Sequence, residues 1–310
     1  MSATEQALKD VEGLHTAFCA TGMNTFEAIE HASHEDAVLA GHLWMRALRM
    51  VDILPGSFRR SIWMPKPDLL NLELVHQIVR ISYPFRMGAV PVTLGAWSAL
   101  MGNEHHGDWA SKIAPLTADP GNNPNLPAVC VNWSEICGPG GFLERLNRVT
   151  AAVRPDGHVF RLPSEKEWEY ACRAGTTTTW HFGDEPRELD AYAWHRSNSG
   201  SMIHPVGLKA PNPWGLYDMY GNVEERCSEI CDSGQEGHPK IQISRGGSCI
   251  GYPRGCSSAG WFFYEMDDFS TDLGFRVVLS VPGKKATVTK CAGKKNTWGQ
   301  GGYVGLPTKR

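Results

Sequence analysis

Apolar side chains in the first part of the chain recur every three or four residues, which is the spacing of one helix face. The positions that carry this pattern are Leu39, Leu43, Ala47, Met50 and Leu54. Pro55 ends the pattern because proline cannot continue a helix. We therefore predict helix over residues 1–55, a connector over residues 55–68, and an N-terminal helical extension that covers residues 1–65.

From about residue 69 the pattern changes to short apolar runs separated by Gly, Pro and Asn. Such runs predict short strands, at residues 75–82, 129–133 and 159–162, with a pair of core strands at residues 244–247 and 274–279. Two helices interrupt them, at residues 93–101 and from Ser164 onward. Ser164 and Glu167 have the spacing of a capping box, which marks a helix start. The predicted fold class is mixed α+β with much irregular structure.

Composition agrees with a globular chain, since 42% of the residues are hydrophobic and 20% are charged. The net charge of −3 gives no overall attraction to nucleic acid. Seven of the 30 basic residues lie in residues 283–310, where there is no acid. We predict that this Gly- and Lys-rich segment is a tail that lies in solvent, folds back on the acidic body or holds an acidic partner.

Location also follows from composition. No apolar run reaches about 18 residues, so we expect no transmembrane helix. Residues 1–10 lack the basic start and apolar core of a secretory signal. The nine cysteines are scattered and odd in number, which favours reduced thiols and a cytoplasmic protein.

Five motifs follow one another in a recognisable order between residues 80 and 280. They are PFRMG with VT at 84–93, RLPSEKEWEYA at 161–171, PVG and PNPWGLYDM at 205–219, GNV at 221–223, and RGGS and GFR at 245–276. In this order they resemble the formylglycine-generating enzyme (sulfatase-modifying factor) domain family. The resemblance implies a C-type-lectin-like fold, which we place at residues 66–282.

Most of the shared motif residues also have a structural interpretation. Glycines such as Gly246 and Gly247 permit backbone conformations that other residues avoid. Trp168 and Tyr170 are expected in the core. The three motif arginines are expected to hold buried carboxylates such as Glu167, Glu169 or Asp218; they are Arg161, Arg245 and Arg276.

The cysteines after RGGS are the candidate catalytic residues. The resemblance implies that oxidases of the family bind copper(I) there through two cysteines spaced C-x4-C, and thiolates suit that soft ion. Here Cys256 falls at the second position, Gly251 stands at the first, and Cys249 lies two residues early. Cys249 and Cys256 are thus a copper pair, a disulfide or ordinary buried thiols.

A calcium site is the second metal that the resemblance implies. Its ligands would be oxygens of Asn222, Val223 and Glu225, and calcium prefers such oxygens. Both tryptophans of the family segment are replaced, by Glu224 and Arg226. In the alternative interpretation, Glu225 pairs with Arg226 or with another arginine.

A further branch of the resemblance consists of sulfoxide synthases that bind non-haem iron through three histidines. His31, His34 and His42 lie in the N-terminal region, but the H-x3-H element of that branch is missing. Surface or packing roles are the default for these histidines.

Aromatic and basic residues cluster between the RGGS and GFR segments, and such residues anchor interfaces. The candidate ligand-binding residues are Tyr252, Arg254, Trp261, Phe263 and Tyr264. We therefore expect a non-catalytic binding or accessory module with a protein or peptide partner. The alternative is a copper-dependent oxidase acting on a peptide or small-molecule thiol.

Overall fold

The computed structural model describes residues 33–65, 72–102, 123–232, 240–283 and 289–290. The predicted helix over residues 1–32, His31 and most of the basic tail lie outside this described part. The division of the chain at residues 65 and 282 stays a prediction.

Helices and strands alternate along the described chain, which confirms the mixed α+β class. The helices are α1 (His34–Ala47), α2 (Leu94–Met101), α3 (Trp133–Cys137), α4 (Phe142–Val149) and α5 (Glu165–Arg173), with a 3₁₀ turn at Pro186–Ala191. The strands are β1 (Met50–Ile53), β2 (Gly56–Pro65), β3 (Leu72–Ile81), β4 (Phe85–Gly88), β5 (Val159–Arg161), β6 (Glu224–Asp232), β7 (Ile241–Arg245), β8 (Trp261–Glu265), β9 (Leu273–Phe275), β10 (Val278–Ser280) and β11 (Thr289–Lys290). No described helix is long and apolar enough to cross a membrane.

Helix α1 begins at the cap Ser33, whose hydroxyl accepts from the Asp36 amide. The prediction of helix to residue 55 is wrong beyond Ala47, because β1 pairs antiparallel with β4 instead. The predicted connector is also wrong over β2, which pairs along its whole length with β3. Pairing with distant strands overrides the local helical spacing here.

The strands form three sheets. The first has the order β1-β4-β10-β5, the second has the order β11-β6-β7-β8 with β9 on β6, and β2 and β3 form a separate ribbon. The two segments predicted as paired core strands do not pair, because β6 lies between β7 and β9. The strand predicted at residues 129–133 is wrong as well. Asn132 instead caps α3 in a capping box with Glu135.

Several local predictions are confirmed. The helix predicted at residues 93–101 is α2, which Thr93 caps, and Ser164 caps α5 through the predicted capping box with Glu167. Helix α5 is buried along almost its entire length, and its Trp168 and Tyr170 pack in one hydrophobic cluster with Phe58 of the ribbon. The loop after β7 starts against this helix, since a Cβ on Gly246 would lie 3.3 Å from the Trp168 ring.

Candidate functional site

The loop after β7 begins at two positions whose backbone conformation favours glycine. Gly246 and Gly247 have φ values of 96° and 72°, in the left-handed region. A Cβ on Gly247 would lie 2.8 Å from the Cys256 sulfur. The double glycine therefore lets the end of the loop close tightly over its start.

Closure of the loop buries both candidate catalytic thiols. Cys256 is completely buried, and its sulfur lies 3.8 Å from the Ser248 carbonyl oxygen. Cys249 packs in a different apolar cluster, which includes Leu126 and Val223. Burial raises the pKa of both thiols, that of Cys249 to about 12. Each is a free thiol in the structure, so the disulfide interpretation is not supported.

Gly251 is the position that faces Cys256. A Cβ built on Gly251 would lie 3.7 Å from the Cys256 sulfur and 3.1 Å from two backbone atoms of Ser248. This is the place that the first cysteine of a C-x4-C pair would take. The backbone therefore presents the two positions of such a pair side by side, while the residue at one of them carries no sulfur.

The residues proposed as calcium ligands have other partners. Glu225 is fully buried, and Arg276 donates to both of its carboxylate oxygens at 2.6 and 2.7 Å. Trp168 Nε1 donates to the same carboxylate at 2.8 Å. The Asn222 side chain exchanges two hydrogen bonds with the backbone of His204.

These contacts do not fit a calcium ion. Calcium takes six to eight oxygens, whereas the Glu225 carboxylate already accepts three hydrogen bonds from a guanidinium and an indole, and the Asn222 oxygen already accepts from a backbone amide. Among the described residues, no cluster of three or more His, Cys, Asp or Glu side chains could hold a metal. His34 and His42 lie exposed on α1.

The motif arginines hold buried carboxylates, as expected. Arg161 binds Glu167, and Arg245 binds both Glu165 and Glu169 of α5. Arg276 pairs with Glu225 rather than with Asp218, so Glu225 has the arginine partner that the alternative to the calcium site gave it. Asp218 instead accepts from the Gly207 amide at 2.7 Å.

This network also reaches the ribbon. Arg60 of β2 binds Glu165 at 2.7 Å. Although burial opposes ionisation, Arg245 and Arg60 hold the pKa of Glu165 at about 2. Arg245 Nη1 also donates to the carbonyl oxygens of Ser258 and Gly260 at 3.3 Å. One set of buried charges thus fixes the ribbon, α5 and the end of the loop.

The opposite face of the second sheet carries a polar cluster that sequence reasoning missed. The register places Glu224, Gln242, Ser244 and Tyr264 on this face. Ser244 donates to the Glu224 carboxyl at 2.7 Å, and Tyr264 also bonds to it. Burial and then the charge of Asp272 raise the pKa of Glu224 to about 8.

Arg226 extends the same cluster toward α3. Its guanidinium donates to Gln242 Oε1 at 2.6 Å and to the Asp268 backbone oxygen. Burial lowers its pKa to about 10. The two replacements of family tryptophans, Glu224 and Arg226, are therefore bound into the interior. The only sequence signal for this cluster was the presence of charge at two positions where the family has indoles.

The structure divides the five candidate ligand-binding residues into groups. The rings of Trp261 and Phe263 meet edge to face, with centroids 4.5 Å apart, on one face of β8. Tyr264 lies on the opposite face and is engaged with Glu224. Tyr252 and Arg254 are exposed on the loop, where 57% of Tyr252 is accessible.

A residue that the sequence did not point to completes the exposed group. The Arg196 guanidinium lies 5.0 Å from the centre of the Tyr252 ring. The Arg196 amide also donates to the Gly251 carbonyl oxygen at 3.0 Å. No sequence pattern links these residues, because more than 50 positions separate them.

Comparison with known proteins places most of the chain in one family. Residues 42–281 match the model described as the sulfatase-modifying factor enzyme 1-like domain. The formylglycine-generating enzyme of Mycobacterium tuberculosis is 33% identical over 150 residues, which is 38% of this chain and 50% of that protein. The chaperone protein LppX of Paenibacillus barcinonensis is 27% identical over 151 residues, which is 42% of this chain and 53% of that protein. The chain thus matches only about half of the length of these relatives.

Among solved structures, Treponema denticola variable protein 1 superposes with a TM-score of 0.55 at 24% identity, over 75% of this chain and 95% of that one. PvdO from Pseudomonas aeruginosa superposes with a TM-score of 0.53 at 25% identity, over 74% of this chain and 93% of that one. The likeness to the variable protein concerns the fold alone.

Proposed function

Because the chain belongs to the sulfatase-modifying factor enzyme 1-like domain family, we propose that it is a non-catalytic member of it. It is a binding or accessory module that holds a protein or peptide partner on the surface between β7 and β9. One observation carries the proposal. The position facing Cys256 is Gly251, so the pair of sulfurs that copper(I) requires is incomplete.

The surroundings of the thiols support the same function. Cys249, the other cysteine of the loop, packs into a separate apolar cluster, and burial raises the pKa of both thiols. A copper(I) site needs two thiolates that reach one ion. One curated relative is called a chaperone protein, and this name agrees with an accessory role.

Copper(I) titration of the reduced protein tests the proposal. We expect no tight one-to-one binding by the wild type. Gly251→Cys should gain such binding, because it restores a sulfur beside Cys256, after Ser248 shifts by a few tenths of an ångström. Gly251→Ser is the matched control and should not bind copper(I) tightly. The double variant Gly251→Cys with Cys256→Ala should not bind it either.

The opposite result is equally clear. If the wild type binds copper(I) tightly and Cys256→Ala abolishes binding, the result supports the alternative of a copper-dependent oxidase, and a substrate is to be sought among peptide and small-molecule thiols.

A further inference from the structure

Two loops from different parts of the chain meet at the exposed end of the proposed binding surface. One contains Arg196 and the other contains Tyr252, and the guanidinium of the first lies over the ring of the second at 5.0 Å. The backbone bond from Arg196 to Gly251 fixes the loops relative to each other. Arg254 lies two residues beyond Tyr252 and is also exposed. We call Arg196, Tyr252 and Arg254 the basic corner.

The charges of the basic corner have no internal counterpart. Within the described ranges, neither Arg196 nor Arg254 has a carboxylate within salt-bridge distance, although the guanidinium groups of the interior are almost all paired. An arginine stacked on an aromatic ring keeps its edge N–H groups free for a planar anion. Such a fork binds carboxylates through two parallel hydrogen bonds.

The net charge of residues 1–282 is opposite in sign to that of the basic corner. Residues 1–282 hold 23 basic and 33 acidic side chains. An acidic partner is therefore repelled by most of this body and attracted at the basic corner, which fixes where and how it docks. The acids Glu265, Asp267 and Asp268 lie at the end of β8 and just after it, so the attraction does not extend along the whole surface.

We infer that the partner docks on the basic corner through an acidic peptide segment, with its carboxylates on Arg196 and Arg254 and its apolar atoms on Tyr252. This inference rests on the proposed binding function and adds the chemistry of the partner. Arg196 adds a residue to the binding surface predicted from the sequence, because it lies outside the segment between β7 and β9.

A fluorescein-labelled hexaglutamate peptide with one central tyrosine is the probe, and a hexalysine peptide with the same tyrosine is its charge-reversed control. We expect saturable binding of the acidic peptide by the full chain, and no binding of the basic one. Arg196→Gln and Arg254→Gln should each weaken binding at least fivefold, which corresponds to about 1 kcal/mol. Arg187→Gln, which changes an exposed arginine elsewhere, should leave it unchanged.

A pair of substitutions at Tyr252 distinguishes loss of the Arg196–Tyr252 ring contact from loss of folding. Tyr252→Phe keeps the ring under Arg196 and should retain binding, whereas Tyr252→Ala should lose it. Circular dichroism verifies that each variant is folded.

The inference is overturned if the acidic peptide does not bind, or if it binds Arg196→Gln and Arg187→Gln equally. That result leaves the copper titration, and with it the proposed function, untouched. Tight copper(I) binding by the wild type would instead overturn the proposed function while the peptide result stood by itself.

Discussion

Glu224 is a carboxyl held where a charged form is unfavourable. It is buried beneath β8 and accepts a hydrogen bond from Ser244, but no described cation pairs with it. Asp272 lies close enough to oppose its ionisation further. Folding therefore favours the protonated form, which can still hydrogen-bond without a counter-ion.

This environment predicts a specific pH dependence of stability. The folded pKa of Glu224 is about 8, above the ordinary 4.5. The folded state therefore binds more protons than the unfolded state between these values, and stability falls as pH rises through that window. Glu224→Gln removes the titrating group. Relative to the variant, the wild type should lose on the order of 3 kcal/mol between pH 5 and pH 8.

Urea unfolding at several pH values measures this difference. Glu229 and Asp218 also have raised pKa values, near 7 and 6 from burial, but they titrate in both proteins and cancel in the comparison. Glu265→Gln, an exposed change on β8 of the same sheet, is the control and should follow the wild type. Parallel curves for Glu224→Gln and the wild type would contradict the assignment.

What the sequence can predict at this scale depends on how far apart the partners are. The capping box of Ser164 and Glu167 is predictable because its bonds span three residues. The choice of Glu225 as the partner of Arg276 is not, because it needs the parallel pairing of β6 with β9. The approach of Arg196 to Tyr252 has no local signature either.

At the level of elements, the β2–β3 ribbon is attached to the body at its base. A Cβ on Gly56 would lie 2.2 Å from the Tyr170 hydroxyl, and Phe58 packs 5.8 Å from the Tyr170 ring. Arg60 adds the buried bond to Glu165. A two-stranded ribbon is marginally stable by itself, so these contacts keep it in place.

Arg60→Met should therefore destabilise the protein by about 2–3 kcal/mol, since it removes one member of a buried charge network. The loss stays below that of an isolated buried pair because Arg245 still binds Glu165 and Glu169. Arg59→Met is the matched control, because Arg59 is the exposed neighbour on the other face. Equal shifts of the urea midpoint in both variants would show that the network does not hold the ribbon.

The elements that the sequence did not predict share a physical cause. β1 follows α1 with apolar residues still at helical spacing, and β2 lies in a segment predicted as a connector; only their partners β4 and β3 make them strands. The run at residues 129–133 has the composition of a strand, but Cys130 and Trp133 donate backbone bonds to Ser270 and Met266 without forming a strand, and Asn132 caps a helix instead. Strand formation depends on partners, whereas the helix starts were set by adjacent residues.

For the molecule as a whole, the first sheet is completed by β10, which is its last strand in the chain but lies inside the sheet. β10 pairs with β4 on one side and β5 on the other, and Val278 and Leu279 are buried. A chain that ends at Val277 should therefore fail to unfold cooperatively, whereas one that ends at Gly283 should keep the fold. Thermal unfolding followed by circular dichroism compares them, and a cooperative transition in the shorter chain would refute this role of β10.

The position of β10 has a consequence for how the protein is made. On the ribosome, β4 can pair with β1 as soon as it emerges, but roughly 190 residues must follow before its second partner β10 exists, which takes about 10–40 s at ordinary rates of synthesis. Until then the hydrogen-bonding edges of β4 and β5 that face β10 stay unmatched in the nascent chain, which is when strand edges attract wrong neighbours. Slow completion of one central strand therefore makes this chain a natural client for molecules that shield nascent polypeptides.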